Sequence, residues 1–379
     1  MVDSAPERKM RVLHLIIVLG ETNGQYNEHC LPLMHERDIS IVTYFAPKLT
    51  PPPEITLFAG DGTLRGFLRA LKKALNAQDY DVVHAHAPQT GTLLVLAALS
   101  WRRFSRLRPS LVYTVQDSFH DYKPRNQAMM VVALAKFTRI VFCSRSAYES
   151  LPRILKRLVR ARWRVVQNGA DLDRVDRAVA AHRAAPNGAG FTVLSVGRLE
   201  QVKDPIAALN AYARSVGEDA GSRAVFVGAG ELSTAVTERA QELGLQDRVV
   251  LTGLIPRDEV FVLCADADVF VSTSHGEGLP VAVLEAMAAG CPVILSDIPP
   301  HRELGEGTDF IPFVPPGDEE GFAEAIRRFH EMSPRERREI GRRCRDHMAA
   351  RFTLPIMRAG TEAVYRELAP RVGGMARTR

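Results

Sequence analysis

Short runs rich in Val, Ile and Leu alternate with segments of helical period along almost the whole chain. In the first half the runs are RVLHLIIVL (11–19), ISIVTYF (39–45), DVVHAH (81–86), SLVYTV (110–115), RIVFCS (139–144) and WRVVQN (163–168). Helix-like stretches such as 63–76 and 91–100 lie between most of them. AVAAHRAAPNGAG (178–190) then carries alanine, glycine and proline without a strand pattern, and reads as a linker. Beyond it the alternation restarts with FTVLSVG (191–197), RAVFVG (223–228), RVVLTG (248–253), VFVST (269–273) and PVILSD (292–297). Strands that are apolar throughout belong in parallel sheets covered on both faces by helices. Two such series predict an α/β protein of two Rossmann-like domains facing each other across a cleft. The first domain covers 1–177, the linker 178–190 and the second domain 191–353. Ligands of such sheets bind beyond the carboxyl ends of the strands, so the loops that follow strands are the places to search.

A length of 379 residues exceeds one ordinary core and agrees with two domains. The five cysteines are scattered without a CxxC pair, so neither a disulfide framework nor a zinc site is expected, and a reducing cytoplasm fits. The first ten residues contain no apolar h-region, and no apolar run is long enough to span a membrane. The net charge of +5 hides an asymmetry. Residues 1–170 carry 24 Lys/Arg against 13 Asp/Glu, and the remainder 25 against 31. Within the basic half, RILKRLVRARWR (153–164) interleaves six cations with Ile154, Leu155, Leu158 and Val159. Such a segment is either a solvated helix face or a surface for anionic lipid or an anionic substrate. Nucleic acid is not expected as a partner, because stacking aromatics are missing apart from Trp163.

Several polar clusters fall just after strands. In SVGRLEQVKDP (195–205), Arg198 and Lys203 precede Asp204-Pro205, a strong helix start. Two cations beside a helix N-terminus suit a diphosphate. In SHGEGLPVAVLEAMAAGCPVIL (274–295), Glu277 lies in a loop, Pro280 opens a helix, Glu285 lies inside it, and Gly290 stops it. Eight helical steps would separate the acids by about 12 Å. A glycosidase pair is closer, roughly 5 to 9.5 Å, so these acids read as grips on opposite ends of one elongated ligand. The structural alternative is a helix-dipole acid and a core-edge acid. VGAGEL (227–232) offers close backbone approach or a mere turn. Asn23-Gly24, after the first strand, could present backbone amides to a phosphate. His84 and His86 share one strand face, but a metal site would need a third ligand that no spacing identifies, so hydrogen-bonded histidines are expected. QNGADLD (167–173) reads as turn chemistry with Asp171 as a cap.

Taken in order, DVVHAH, VQNGADLDR, GRLEQVK, VGAGEL and EGLPVAVLEAMAAGCPVI resemble the family 4 retaining nucleotide-sugar glycosyltransferases of the GT-B fold, over almost the whole chain. The resemblance implies that Arg198 and Lys203 hold the donor diphosphate, with Glu277 at the transferred sugar and Glu285 on the ribose. It implies that Gly278, Leu279, Pro280 and Val281 contact sugar and phosphate through their backbone, and that Gly253, Leu254 and Ile255 line the base pocket. Gly24 matches the second glycine of the family's paired-glycine loop. A terminal segment, 354–379, is expected to cross back onto the first domain. Gln116, in YTVQDSFHD, stands where the family often has histidine, and glutamine cannot change charge near neutral pH. A protonatable role on the acceptor or sugar side would then fall to His86 or His120, or be absent. The implied reaction transfers a hexose-type sugar from a nucleotide diphosphate sugar to a hydroxyl acceptor such as a glycan, lipid-linked oligosaccharide or small natural product. It implies retention of configuration, with no cofactor and no metal. The expected location is cytoplasmic, with contact to anionic membrane through the basic first domain.

The rival readings are a GT-B sugar-nucleotide epimerase or phosphorylase, and a non-catalytic nucleotide-sugar-binding protein. A nicotinamide oxidoreductase is disfavoured, since LGETNG replaces the GxGxxG that should follow the first strand.

Overall fold

A computed structural model describes residues 8–21, 23–100, 109–182 and 190–368. Its contacts divide the chain into two units. Unit 1 comprises Met1–Cys143, Ser150–Val166 and Arg358–Arg379, and unit 2 comprises Ser144–Glu149 and Gln167–Met357.

Unit 1 holds a seven-stranded parallel sheet: β1 (Arg11–Ile16), β2 (Asp38–Thr43), β3 (Ile55–Phe58), β4 (Val82–Ala85), β5 (Ser110–Val115), β6 (Arg139–Phe142) and β7 (Trp163–Val165). The order is β3-β2-β1-β4-β5-β6-β7. Burial is continuous along β1 and β2 after their first residues, as both-face coverage requires. The helix Leu64–Ala77 starts where Thr63 accepts the Gly66 amide, and it buries Phe67, Leu71 and Leu75.

Unit 2 holds six parallel strands: β8 (Thr192–Val196), β9 (Arg223–Val227), β10 (Val249–Gly253), β11 (Val269–Ser272), β12 (Val293–Ser296) and β13 (Phe313–Val314). Their order is β10-β9-β8-β11-β12-β13. One face of this sheet packs on Leu209, Tyr212, Phe322, Ile326 and Phe329 from the helices Pro205–Val216 and Glu319–Glu331. Both sheets are therefore Rossmann-like.

Two edge strands, β3 and β13, were not anticipated. ITLF follows a proline run and FV is two residues long, so each owes its conformation to a neighbour, β2 or β12. The boundary between units also falls earlier than the expected linker. Residues 167–177 pack with unit 2, and the helix Leu172–His182 runs into the alanine-rich stretch. Alanine is the best helix former, so this stretch continues the helix. Residues 183–189 of the expected linker lie outside the described residues. At the other end, the helix Leu354–Leu368 joins unit 1 from Arg358 onward, through the ion pair Arg37–Glu362 and a 2.7 Å bond between Tyr365 and His84.

Candidate active site

In unit 2, β8 and β11 are hydrogen-bonded neighbours from which the strand order proceeds in opposite directions. Loops leaving the carboxyl ends of such a pair diverge and leave a crevice, the usual ligand position in this architecture. The loop after β8 contains Arg198 and Lys203, and the loop after β11 contains Glu277.

The two loops are stitched together. Thr273 donates to the carbonyls of Lys203 (3.1 Å) and Asp204 (2.8 Å), and the His275 amide donates to Val202 O (2.8 Å). Asp204 sits in the left-handed region at φ 48°, which costs a non-glycine residue roughly 1 kcal/mol. In that position it accepts the Ala207 amide and so caps the helix that Pro205 opens. Its second oxygen bonds His275 Nε2 at 2.8 Å.

Lys203 Nζ lies 2.5 Å from Glu277 Oε1, and Ser274 Oγ donates to the same oxygen at 2.8 Å. Glu277 is buried. Burial alone would raise its carboxyl, but the Lys203 ammonium, His301 and the two hydrogen bonds outweigh it and hold the group below its usual value. His301 stands in no strand-end motif of the sequence. It is fully buried on the helix Pro299–Leu304, its Nδ1 contacts Ser296 Oγ at 3.0 Å, and its Nε2 has no partner among the described residues. Arg198 is placed differently: it is 65% exposed and pairs with Glu200 at 2.7 Å.

Glu285 lies on the helix Val281–Ala288, buried against Arg257 at the start of the helix Arg257–Asp266. Burial raises the Glu285 carboxyl, and the Arg257 guanidinium only partly offsets this. Each acid is thus held by its own cation, and they do not form a shared proton-transfer pair. The segment between them is buried at Gly278, Leu279 and Pro280 and half-buried at Val281. Ser144 donates to Gly278 O (2.7 Å), and Asn168 donates to Leu279 O (2.9 Å). No side chain caps the helix after Pro280 among the described residues, so its first amides remain available to an anion. Asn168 lies in the QNGADLD passage read as turn chemistry. The turn is present, with Asp171 accepting the Arg174 amide, but the asparagine also fixes the neighbouring loop. Only the fold brings positions 168 and 279 together, so no local signal reveals this. Gly253, at φ 67°, turns the chain after β10, with Leu254 exposed and Ile255 half-buried beyond it.

In unit 1, Gly24 precedes a wide, π-type helix, Gln25–Cys30, which Asn23 Oδ1 holds by accepting the Tyr26 amide. A Cβ at Gly24 would meet the Glu28 carboxylate at 3.4 Å. Gln116 sits at the end of β5 with its Nε2 buried and unpartnered among the described residues. His120 is 67% exposed beside Asp121. His86 is buried and bonds His14 through its Nε2 at 2.9 Å. His14 and His84 are register partners on β1 and β4. His29 closes the group, with its ring centroid 5.0 Å from that of His86. Burial keeps all four imidazoles neutral, with His14 held down to about 3 and His29 to about 4.

Two family models match the chain: "Glycosyl transferases group 1" over residues 180–347 and "Glycosyltransferase Family 4" over residues 32–174. Among curated proteins, the chain is 29% identical over 282 residues to the UDP-Gal:alpha-D-GlcNAc-diphosphoundecaprenol alpha-1,3-galactosyltransferase of Escherichia coli, covering 70% of this chain and 69% of that one. It is 29% identical over 236 residues to the GDP-mannose:cellobiosyl-diphosphopolyprenol alpha-mannosyltransferase of Xanthomonas campestris, covering 59% of this chain and 58% of that one. Among solved structures, Anabaena HepE in complex with UDP superposes with a TM-score of 0.76 at 19% identity, covering 94% of this chain and all of that one. The sucrose-phosphate synthase of Thermosynechococcus elongatus gives a TM-score of 0.76 at 19% identity over 95% of this chain and 99% of that one.

Proposed function

The chain belongs to glycosyltransferase family 4, and from that premise we propose that it moves a hexose-type sugar from a nucleotide diphosphate sugar to the hydroxyl of a lipid-linked or glycan acceptor, with retention of configuration. The observation that carries the reading is the Lys203–Glu277 pair at the β8/β11 divergence. It puts a cation for a leaving diphosphate and an acid for sugar hydroxyls side by side, close to two helix N-termini.

Lys203 and the first amides of the helix Val281–Ala288 bind the diphosphate. Arg198 joins them by exchanging its exposed contact with Glu200, a pair of a class worth only about 0–1 kcal/mol. Glu277 orients the transferred sugar. Glu285, whose Oε1 takes both Arg257 contacts, offers Oε2 to the ribose. Gly253, Leu254 and Ile255 line the base. The side-chain and dipole charges stabilise the departing diphosphate, so the transfer step needs no divalent metal. The leaving phosphate oxygen takes the proton of the incoming hydroxyl on the face it vacates, which preserves configuration. In unit 1, Gln116 and the exposed His120 are the candidates for contact with the acceptor.

No helix among the described residues is long and apolar enough to cross a membrane. The helix Arg153–Val159 exposes Ile154 and Leu158 beside Arg153, Arg157 and Arg160. We assign this surface to peripheral contact with anionic lipid on the cytoplasmic side, where a lipid-linked acceptor would be met. Vesicles with and without anionic lipid test it by co-sedimentation; equal binding to both refutes it.

The functional test is release of nucleoside diphosphate from a panel of UDP-, GDP-, ADP- and dTDP-sugars with polyprenyl-diphosphate-linked acceptors, in chelator. Nuclear magnetic resonance of the product's anomeric proton reads the configuration. Donor turnover that persists in chelator and gives an alpha-linked product from an alpha-linked donor supports the reading. Wild-type turnover in Arg198→Ala, or an inverted product, would overturn it.

A further inference from the structure

The four buried histidines of unit 1 serve no step of the reaction above. His14 and His84 project from register partners on adjacent parallel strands, and His86 lies two residues beyond His84 on the same face. One ring nitrogen from each of the three lies within 4.8 Å of the others. The rings of His84 and His86 are stacked with centroids 4.0 Å apart, and His14 lies 5.4 and 5.2 Å from them. His29 approaches from the π-type helix.

The hydrogen bonds of this group are incomplete. His84 is satisfied at both nitrogens, by Tyr365 and by Thr114, each at 2.7 Å. His14 and His86 share one bond of 2.9 Å. His14 Nε2, His86 Nδ1 and His29 Nδ1 are buried without a partner among the described residues. Buried polar groups in native proteins are ordinarily paired, and three orphaned ring nitrogens in one pocket are far from that norm.

We propose that His14, His84 and His86 bind a divalent transition ion such as zinc. An all-imidazole donor set suits zinc, copper, nickel or cobalt, and not magnesium or calcium. Two nitrogens on a tetrahedral zinc, each about 2.0–2.1 Å from the ion, stand roughly 3.3–3.4 Å apart. One nitrogen from each ring already lies within 4.8 Å of the others, so reaching that spacing takes a closure of at most about 1.5 Å. When His84 ligates through one nitrogen, a hydroxyl still orients the ring through the other, the arrangement ordinarily found around metal-bound histidine. Ligation through His84 Nε2, in place of its bond to Thr114, keeps the Tyr365 bond at Nδ1, and the ion then ties the helix Leu354–Leu368 to β1 and β4. The site is independent of the transfer chemistry, and its test does not use turnover.

Tag-free protein is produced in cobalt-supplemented minimal medium and examined by elemental analysis and visible absorption. One cobalt per chain with the visible bands of a low-coordinate imidazole complex is expected, together with loss of both in His14→Gln and in His86→Gln. A second measurement needs no variant: thermal unfolding of metal-stripped wild type should shift upward with zinc and not with magnesium. Wild type that carries no cobalt and melts at the same temperature with and without zinc would overturn the proposal, leaving a hydrogen-bonded histidine network. Cobalt retained at wild-type stoichiometry by folded His14→Gln and His86→Gln would do so as well, by placing the ion on the exposed histidines.

Discussion

Replacing Lys203 by methionine removes the cation 2.5 Å from a buried carboxylate and leaves Glu277 with Ser274 and His301. Breaking a fully buried pair costs about 3–5 kcal/mol. Lys203 is 24% exposed, so a smaller loss is expected, ~2–3 kcal/mol. For a unit of this size that lowers the melting temperature by ~5–10 °C. The loss should also depend on pH in a definite direction. In the wild type Glu277 is held below its ordinary value of 4.5, so its stabilisation is present above that value and is lost as pH falls through the lowered one. In Lys203→Met only burial remains strong, and the carboxyl rises above 4.5. Its contribution is then favourable below 4.5 and is lost as pH climbs through the raised value. The gap in melting temperature should therefore widen between about pH 5 and pH 7.5, measured by calorimetry. In Lys203→Met/Glu277→Gln, which removes both charges, most of the lost stability should return while activity does not. A gap that is equal at both pH values, or a double variant as unstable as the single one, would refute the reasoning.

Arg198→Ala should leave the melting temperature within a degree or two of wild type, since its contact with Glu200 is exposed, yet lower kcat by about 10²-fold or more. Asn168→Ala strands the buried Leu279 carbonyl and should cost about 1–3 kcal/mol in denaturant unfolding, with a fall in kcat/KM because the 278–281 backbone loses its tether. Arg257→Ala leaves Glu285 buried without its cation and should raise KM for the donor more than it lowers kcat, read by steady-state kinetics across donor concentrations.

Much of this protein could be read from its sequence. Parallel strands buried on both faces declare themselves as unbroken apolar runs, so two Rossmann-like series followed from composition and period alone. The positions of Glu277 and Glu285, and the start signal Asp204-Pro205, are local chemistry: a cap, a proline and a glycine stop fix where a loop ends and a helix begins. Of the edge strands, β13 has only two residues and so no pattern of its own, and β3 follows a run of prolines that reads as loop; each exists through its neighbour's backbone bonds. The unit boundary falls at Val166 because Asn168 and Arg174 bond Leu279 and Asp258 of unit 2, and the alanines read as linker only extend the helix that follows. Partnerships are a different matter. Lys203 with Glu277, Arg257 with Glu285 and Asn168 with Leu279 are separated in sequence by 74, 28 and 111 positions, and only folding decides which side chains meet. His84 and His86 were visible as a pair on one strand. The third histidine was not, because His14 becomes their neighbour only through the parallel pairing of β1 with β4, and strand order is a property of the sheet and not of any segment within it.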